Sequence, residues 1–257
     1  ENLISLLEAL EKPHELLVYL EKSEKLMPYD GTLKIKKGKT LYVLKKIKEA
    51  YEILSAPSLP KKDPEILKIL AHSAFQLEKF SESIVYFEVL PALSYEEQKM
   101  RAQALMKTYE FEKAAEILKN LLETQSIQSK DEVAHLARWL IDCQRELGEL
   151  AEALKTAVIL VSLEDSAQSY LILSQIQRQM NRPEDAMASL RKAAEKEPGM
   201  EKILIESLME AGDLNQALEL TEKMLKNNPY HEDGLFMKVK ILFKQRRIED
   251  AKIVLFT

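Results

Sequence analysis

Gly31, Gly38, Lys39 and Thr40 are the chain's nearest approach to a phosphate-binding loop. Such a loop needs a glycine, four residues, then Gly-Lys-Ser/Thr, so that successive amides cradle phosphate oxygens. Here six residues separate the glycines and no buried strand pattern precedes them, so nucleotide binding is not expected. Metal chemistry has as little to work with. His14, His72, His135 and His231 are far apart, and Cys143 is the only cysteine. Zinc requires several converging ligands, so neither a metal nor another cofactor is expected. Cys143, two positions after Ile141, reads as a small core residue. The many carboxylates recur at helical spacings that suit solvated faces, and none forms an acid–base pair of the kind catalysis uses. The chain reads as non-enzymatic, and its functional residues must be sought on a binding surface.

The elements that would carry such a surface are helices. Only six glycines, with abundant Leu, Glu, Lys and Ala, point away from a turn-rich sheet. Apolar runs such as Ala157–Val161 fall far short of the roughly eighteen residues that span a bilayer, so no membrane insertion is expected. A single cysteine excludes an internal disulfide framework. No signal peptide is visible, which gives a cytoplasmic expectation. The chain starts at Glu1 rather than Met, so a removed leader or a cut from a longer protein leaves other compartments open. Net charge is −5, divided unevenly: residues 1–62 carry 12 Lys and no Arg against 9 acids, and the remainder 25 basic against 33 acidic side chains. That balance argues against a dedicated nucleic-acid binder, whose affinity comes mostly from neutralising phosphates. RNA binding along Lys34–Lys48 is the weaker alternative.

One small side chain recurs through the sequence. Leu16, Ala50, Ser83, Ala114, Ala153, Ala186, Ala217 and Ala251 are spaced by 34, 33, 31, 39, 33, 31 and 34 residues. Three positions before each comes Pro13, Ile47, Phe80, Phe111, Leu150, Pro183, Leu214 or Ile248. The residue immediately before is usually acidic or an amide (Glu15, Glu49, Glu82, Glu152, Asp185, Gln216, Asp250), as suits the positive end of a helix. Gly148 and Gly212 stand five before, where a left-handed helix cap is needed. Pro28, Pro198 and Pro229 close three of the units.

This pattern resembles the tetratricopeptide repeat, a helical hairpin of about thirty-four residues that stacks into arrays. The resemblance implies an all-α, right-handed α-solenoid of antiparallel hairpins, in which the small residue sits where two helices of a hairpin cross. It implies a partial repeat over 1–30, full repeats over 31–63, 64–94, 95–133, 134–166, 167–197 and 198–231, and a partial repeat over 232–257. A polar insert from Glu123 to Glu132 accounts for the 39-residue step. The small eighth position of each first helix reads Gly38, Ala71, Ala102 and Ser174, but Ile4, Ile141, Ile205 and Val239 elsewhere. Those four hairpins are expected to be splayed or repacked. Trp139 is expected to fill space between repeats.

In this family the first helices line a concave groove. Carried onto this sequence, its inner positions give Lys39, Tyr42, Lys68, His72, Phe75, Lys99, Gln103, Met106, Lys107, Arg138, Arg145, Gln175 and Arg178. Phe236 and Phe243 extend the set towards the end of the chain. The expected partner is a protein or acidic peptide, its carboxylates paired by Arg138, Arg145 and Arg178 and its apolar side chains held by Tyr42, Phe75, Met106, Phe236 and Phe243. Self-association through open array ends is a further expectation. The asparagine–lysine clamp by which some members capture chaperone tails is missing, since every internal asparagine falls in a second helix or a turn. The leading expectation is a scaffold within a larger assembly, and the alternative is the substrate-recruiting part of a larger enzyme.

Overall fold

The computed structural model describes residues 2–59, 63–123 and 129–255, apart from the side chain of Asn2. Among them there are sixteen α-helices, one three-residue 3-10 turn (Pro198–Met200) and no strand. They belong to two compact units, Glu1–Ser126 and Ile127–Thr257. The first unit holds the hairpins α1 (Asn2–Ala9) with α2 (Pro13–Leu26), α3 (Gly31–Val43) with α4 (Ile47–Leu54), α5 (Pro64–Gln76) with α6 (Phe80–Val89), and α7 (Tyr95–Lys107) with α8 (Phe111–Glu123). The second holds α9 (Lys130–Glu146) with α10 (Leu150–Leu163), α11 (Ala167–Gln179) with α12 (Pro183–Lys196), α13 (Glu201–Ala211) with α14 (Leu214–Asn227), and α15 (Glu232–Lys244) with α16 (Ile248–Leu255). Within each unit, consecutive helices pack on one another. The middle of the polar insert, residues 124–128, and the last two residues lie outside the described residues.

All eight recurring positions are buried, Leu16 as well as the seven small residues from Ala50 to Ala251. The residue three before each one is the first residue of α2, α4, α6, α8, α10, α12, α14 or α16. Two of those first residues are prolines, which tolerate the position because no helical N–H is lost there. Five residues before each small residue the backbone turns left-handed: at Glu11, Lys45, Glu78 and Tyr109 in the first unit, and at Gly148, Asn181, Gly212 and Arg246 in the second. The following amide donates back five residues, as in Lys46 to the Leu41 carbonyl and Glu149 to the Gln144 carbonyl. This bond closes the first helix and reverses the chain. Glycine accepts this geometry freely, whereas other L-residues pay about 1–2 kcal/mol. Only two of the eight turns have glycine.

Two of the four hairpins with a large eighth residue are repacked. Gly38 lets α4 approach closely: a Cβ built on it would stand 2.5 Å from Leu54 Cγ. Ala71 likewise clusters with the large, fully buried Phe87. Sixteen residues separate the partners in both pairs. At the same separation, Ile141 meets Ala157 within one buried cluster, and buried Ile205 stands sixteen before buried Thr221. Large and small have changed sides of the seam, so the combined volume stays near what close packing requires. Ile4 and Leu20 are both large: Leu20 is fully buried, and half-buried Ile4 packs against its cluster; Val239 likewise has a large residue sixteen on, the exposed Leu255.

Candidate functional site

In the first unit the first helices α3, α5 and α7 bring Tyr42, Lys68, His72 and Glu97 together. The Tyr42 hydroxyl lies 3.2 Å from His72 Nδ1. On the other side of the ring, Nε2 faces Glu97 Oε1 at 3.6 Å, and Lys68 Nζ is 3.3 Å from the same oxygen. A neutral imidazole with its proton on Nε2 fits this arrangement, because Nδ1 then accepts from Tyr42. Burial lowers the His72 pKa below its ordinary 6.5 and raises that of Tyr42 above 10.0. Glu97 is buried, which pushes its carboxyl up. The Ser94 amide and hydroxyl and the Lys68 ammonium outweigh that, and the net shift is downward. Ser94 and Glu97 form a reciprocal cap at the start of α7. The result is a protonated tyrosine, a neutral histidine and a carboxylate tying three helices together. None of the three is poised as a nucleophile.

The remaining residues expected in this unit lie on the same helices. Lys39 pairs with Glu65 and Asp63 at the start of α5. Phe75 is half-buried and stacks edge-on against Phe80, with ring centroids 5.6 Å apart. Lys99 pairs with Glu96 on its own helix. Gln103 and Met106 are half-buried and Lys107 is exposed. The Lys34–Lys48 stretch is internally neutralised as well, with Lys36 on Glu8, Lys37 on Glu24 and Lys46 on Glu49.

In the second unit Arg138 reaches back to Glu164, Arg145 donates to the Gln179 side chain at 3.0 Å, and Arg178 meets Glu210 at 3.1 Å. These are the arginines expected to hold an acidic partner, and Arg138 and Arg178 already hold carboxylates of their own chain. The acids come from 26 and 32 residues further on: Glu164 ends α10 of the same hairpin, whereas Glu210 lies on α13, so Arg178 joins one helix pair to the next. Trp139 is half-buried with its ring 4.5 Å from that of His135. Cys143 is fully buried, and desolvation pushes its thiol up to about 12, so it remains a protonated core group. Among the described residues no group of three His, Cys, Asp or Glu side chains could hold a metal ion.

Openings break the surface of this unit on both sides of α13. A cavity of about 250 Å³ lies between α11, α12 and α13, with Gln175, Arg178 and Glu210 on its lining and Leu171, Met187 and Ile203 supplying apolar wall. A broader groove of about 640 Å³ lies between α13 and α15, lined by Met209, Phe236, Met237 and Phe243 together with Lys240 and Lys244. Gln175 and Arg178 were expected on a binding face. The cavity itself was not legible, because it arises where small side chains from three helices meet.

The model of the tetratricopeptide repeat family matches residues 23–231. The chain belongs to the tetratricopeptide repeat family. Among solved structures it is similar to a chain in the structure of Naa15/Naa10 bound to HypK-THB, at 15% identity and a TM-score of 0.63. That alignment covers 94% of this chain but 38% of the other, so this chain spans well under half of that relative's length. It is also similar to YrrB, described as a TPR protein with an unusual peptide-binding site, at 16% identity and a TM-score of 0.53, covering 70% of this chain and 92% of that one. MamA from Desulfovibrio magneticus RS-1 aligns at 12% identity with a TM-score of 0.51, covering 66% and 97%. These likenesses show the fold. No curated protein matches the chain. Among the described residues no helix is long and apolar enough to cross a membrane.

Proposed function

We propose that this TPR chain is a non-enzymatic scaffold that holds a protein or peptide partner against its first-helix face. One observation carries the reading: in the second unit that face has openings with large apolar side chains on their walls, where hairpin stacking alone would favour closure. Interfaces draw most of their energy from a few apolar or aromatic anchors seated in such openings. The fold supports the reading only in general terms, since a fold can host many functions. YrrB is described as having a peptide-binding site, and the Naa15/Naa10 structure is of an assembly. A recruiting region inside a larger assembly is the second reading, favoured by the match to part of a much longer chain.

The test compares proteins captured by the full chain and by two surface variants, Met106→Glu/Lys107→Glu in the first unit and Lys240→Glu/Lys244→Glu in the second. Circular dichroism confirms that each variant keeps its helices. We expect at least one variant to lose a partner that the unaltered chain retains. If both capture the same proteins in the same amounts, the first-helix face is not the binding surface.

A further inference from the structure

The residue just before each left-handed turn tells the hairpins apart. It is Leu10, Leu44, Leu77 or Leu147 in four of them, Met180 in a fifth, and Thr108 and Gln245 in two more. In α13 alone it is an alanine, Ala211. In three hairpins the large side chain at this place fills the junction with the hairpin before. Leu44 packs on a cluster that includes Leu17 of α2, Leu77 on one that includes Leu54 of α4, and Met180 on one that includes Leu160 of α10. Ala211 has no such side chain to send against α12, and space is left at that junction. It comprises the cavity of about 250 Å³ between α11, α12 and α13, and an opening of about 390 Å³ between α12, α13 and the turn that follows. Pro183, Met187 and Ala211 line both. A gap of this kind forfeits the dispersion contacts that the filled junctions make.

We infer that the α12–α13 junction is a binding site for a small, neutral, mostly apolar molecule that occupies the place of the missing side chain. The lining of the cavity sets this chemistry. Leu171, Met187, Leu190 and Ile203 supply the apolar wall, and the two charged residues on the lining, Arg178 and Glu210, pair with each other at 3.1 Å. No net charge is left to select an anion or a cation. Ser207 and Gln175 give the lining a hydroxyl and an amide for one polar end. A cavity of about 150 Å³ lined by aliphatic side chains takes up benzene, and this one is larger. The ligand class is an aromatic ring or ring pair carrying a single uncharged hydrogen-bonding group. Sites that are mostly apolar, with a few placed polar groups, occur between packed helices. The inference goes beyond the scaffold reading and does not rest on it, because a molecule seated between α12 and α13 needs no protein on the first-helix face.

Saturation-transfer NMR on the full chain tests the assignment, with indole, p-cresol and benzyl alcohol as neutral probes and benzoate and benzylamine as charged ones. The neutral probes are expected to bind and to raise the melting temperature. The charged ones should bind about tenfold more weakly or less, since a charge enters an apolar cavity only at a cost. Ala211→Leu is expected to abolish probe binding and to raise the melting temperature by itself, because it supplies the side chain that four other hairpins have. Should that variant lose helix by circular dichroism, Ser207→Val narrows the same cavity from α13 and takes its place. Absence of binding by every neutral probe overturns the inference. So does binding that the filled variant leaves unchanged, or equal binding of the charged probes. If Ala211→Leu instead loses a captured protein while no probe binds, the space belongs to a partner's side chain. That result overturns the small-molecule assignment and leaves the scaffold reading standing.

Discussion

The two units share one repeat pattern and use their first-helix faces differently. In the first unit, Tyr42, His72, Glu97 and Lys68 tie α3, α5 and α7 into a polar knot, and the opening of about 460 Å³ in that unit lies away from it, between α1, α2 and α3. In the second unit the same face opens on both sides of α13 and presents aromatic side chains to solvent. Identical architecture therefore does not imply equal availability for binding. What differs is how each face is filled: by polar bonds between helices in one, by half-exposed aromatic rings beside a groove in the other.

The contrast extends into the cores, where the strongest test lies. Leu54 faces Gly38 in the first unit, and Ala157 faces Ile141 in the second. Leu54→Ala should cost about 3 kcal/mol by leaving a cavity, and Gly38→Ile about 2–3 kcal/mol by overfilling the same seam. Combined, they copy the second unit's arrangement and should cost at least about 1 kcal/mol less than the sum, as measured by urea denaturation followed by circular dichroism. Additive losses would show that the exchange of volume between the two sides of the seam is coincidental.

A smaller difference lies in the turns. All four left-handed positions of the first unit carry a side chain, whereas the second unit has glycine at two. Tyr109→Gly and Lys45→Gly should each stabilise by about 0.5–1 kcal/mol, relief of the left-handed backbone outweighing the added freedom of the unfolded chain. Gly148→Ala and Gly212→Ala should destabilise by a similar amount. Loss of stability in the first pair would mean that Tyr109 or Lys45 makes a contact worth more than the strain.

The polar knot predicts the smallest effect. His72 is faced by Tyr42, Lys68, Glu97 and the Phe87 ring, 6.0 Å away, and burial lowers its pKa below 6.5. As pH falls past 6.5 the unfolded chain takes up this proton before the folded one does, so the contribution of the neutral ring is progressively lost. The melting temperature should decline just below pH 6.5, and His72→Gln should flatten that part of the profile. Glu97, also shifted downward, adds a second decline below its ordinary 4.5. An unchanged profile in His72→Gln would show that the ring titrates like a solvent-exposed one.

Much of this was legible in the residues. The recurring small side chain and the residue three before it located the start of all eight second helices, because steric fit at a helix crossing and backbone freedom at a helix start both select residue type. Six of the eight left-handed turns were not legible, since Glu11, Lys45, Glu78, Tyr109, Asn181 and Arg246 are not glycine and stacking forces their geometry. The pairing of the cations on the first helices was not legible. Arg138 and Arg178 meet acids that no local pattern links to them. Phe236 and Phe243 were expected on this face, but the opening beside them, shaped by Met209 and Met237 as well, depends on how α13 and α15 pack.

The reciprocal fit of residue eight with the residue sixteen further on has an evolutionary corollary. Because a hairpin such as α3–α4 or α9–α10 contains both halves of its own fit, it can be duplicated, deleted or transplanted whole without harming the crossing inside it. A recombination junction falling between its two helices would instead join Gly38 to an alanine, or Ile141 to a leucine, and leave either a void or a clash. Viable inheritance in such a chain passes through intact helix pairs.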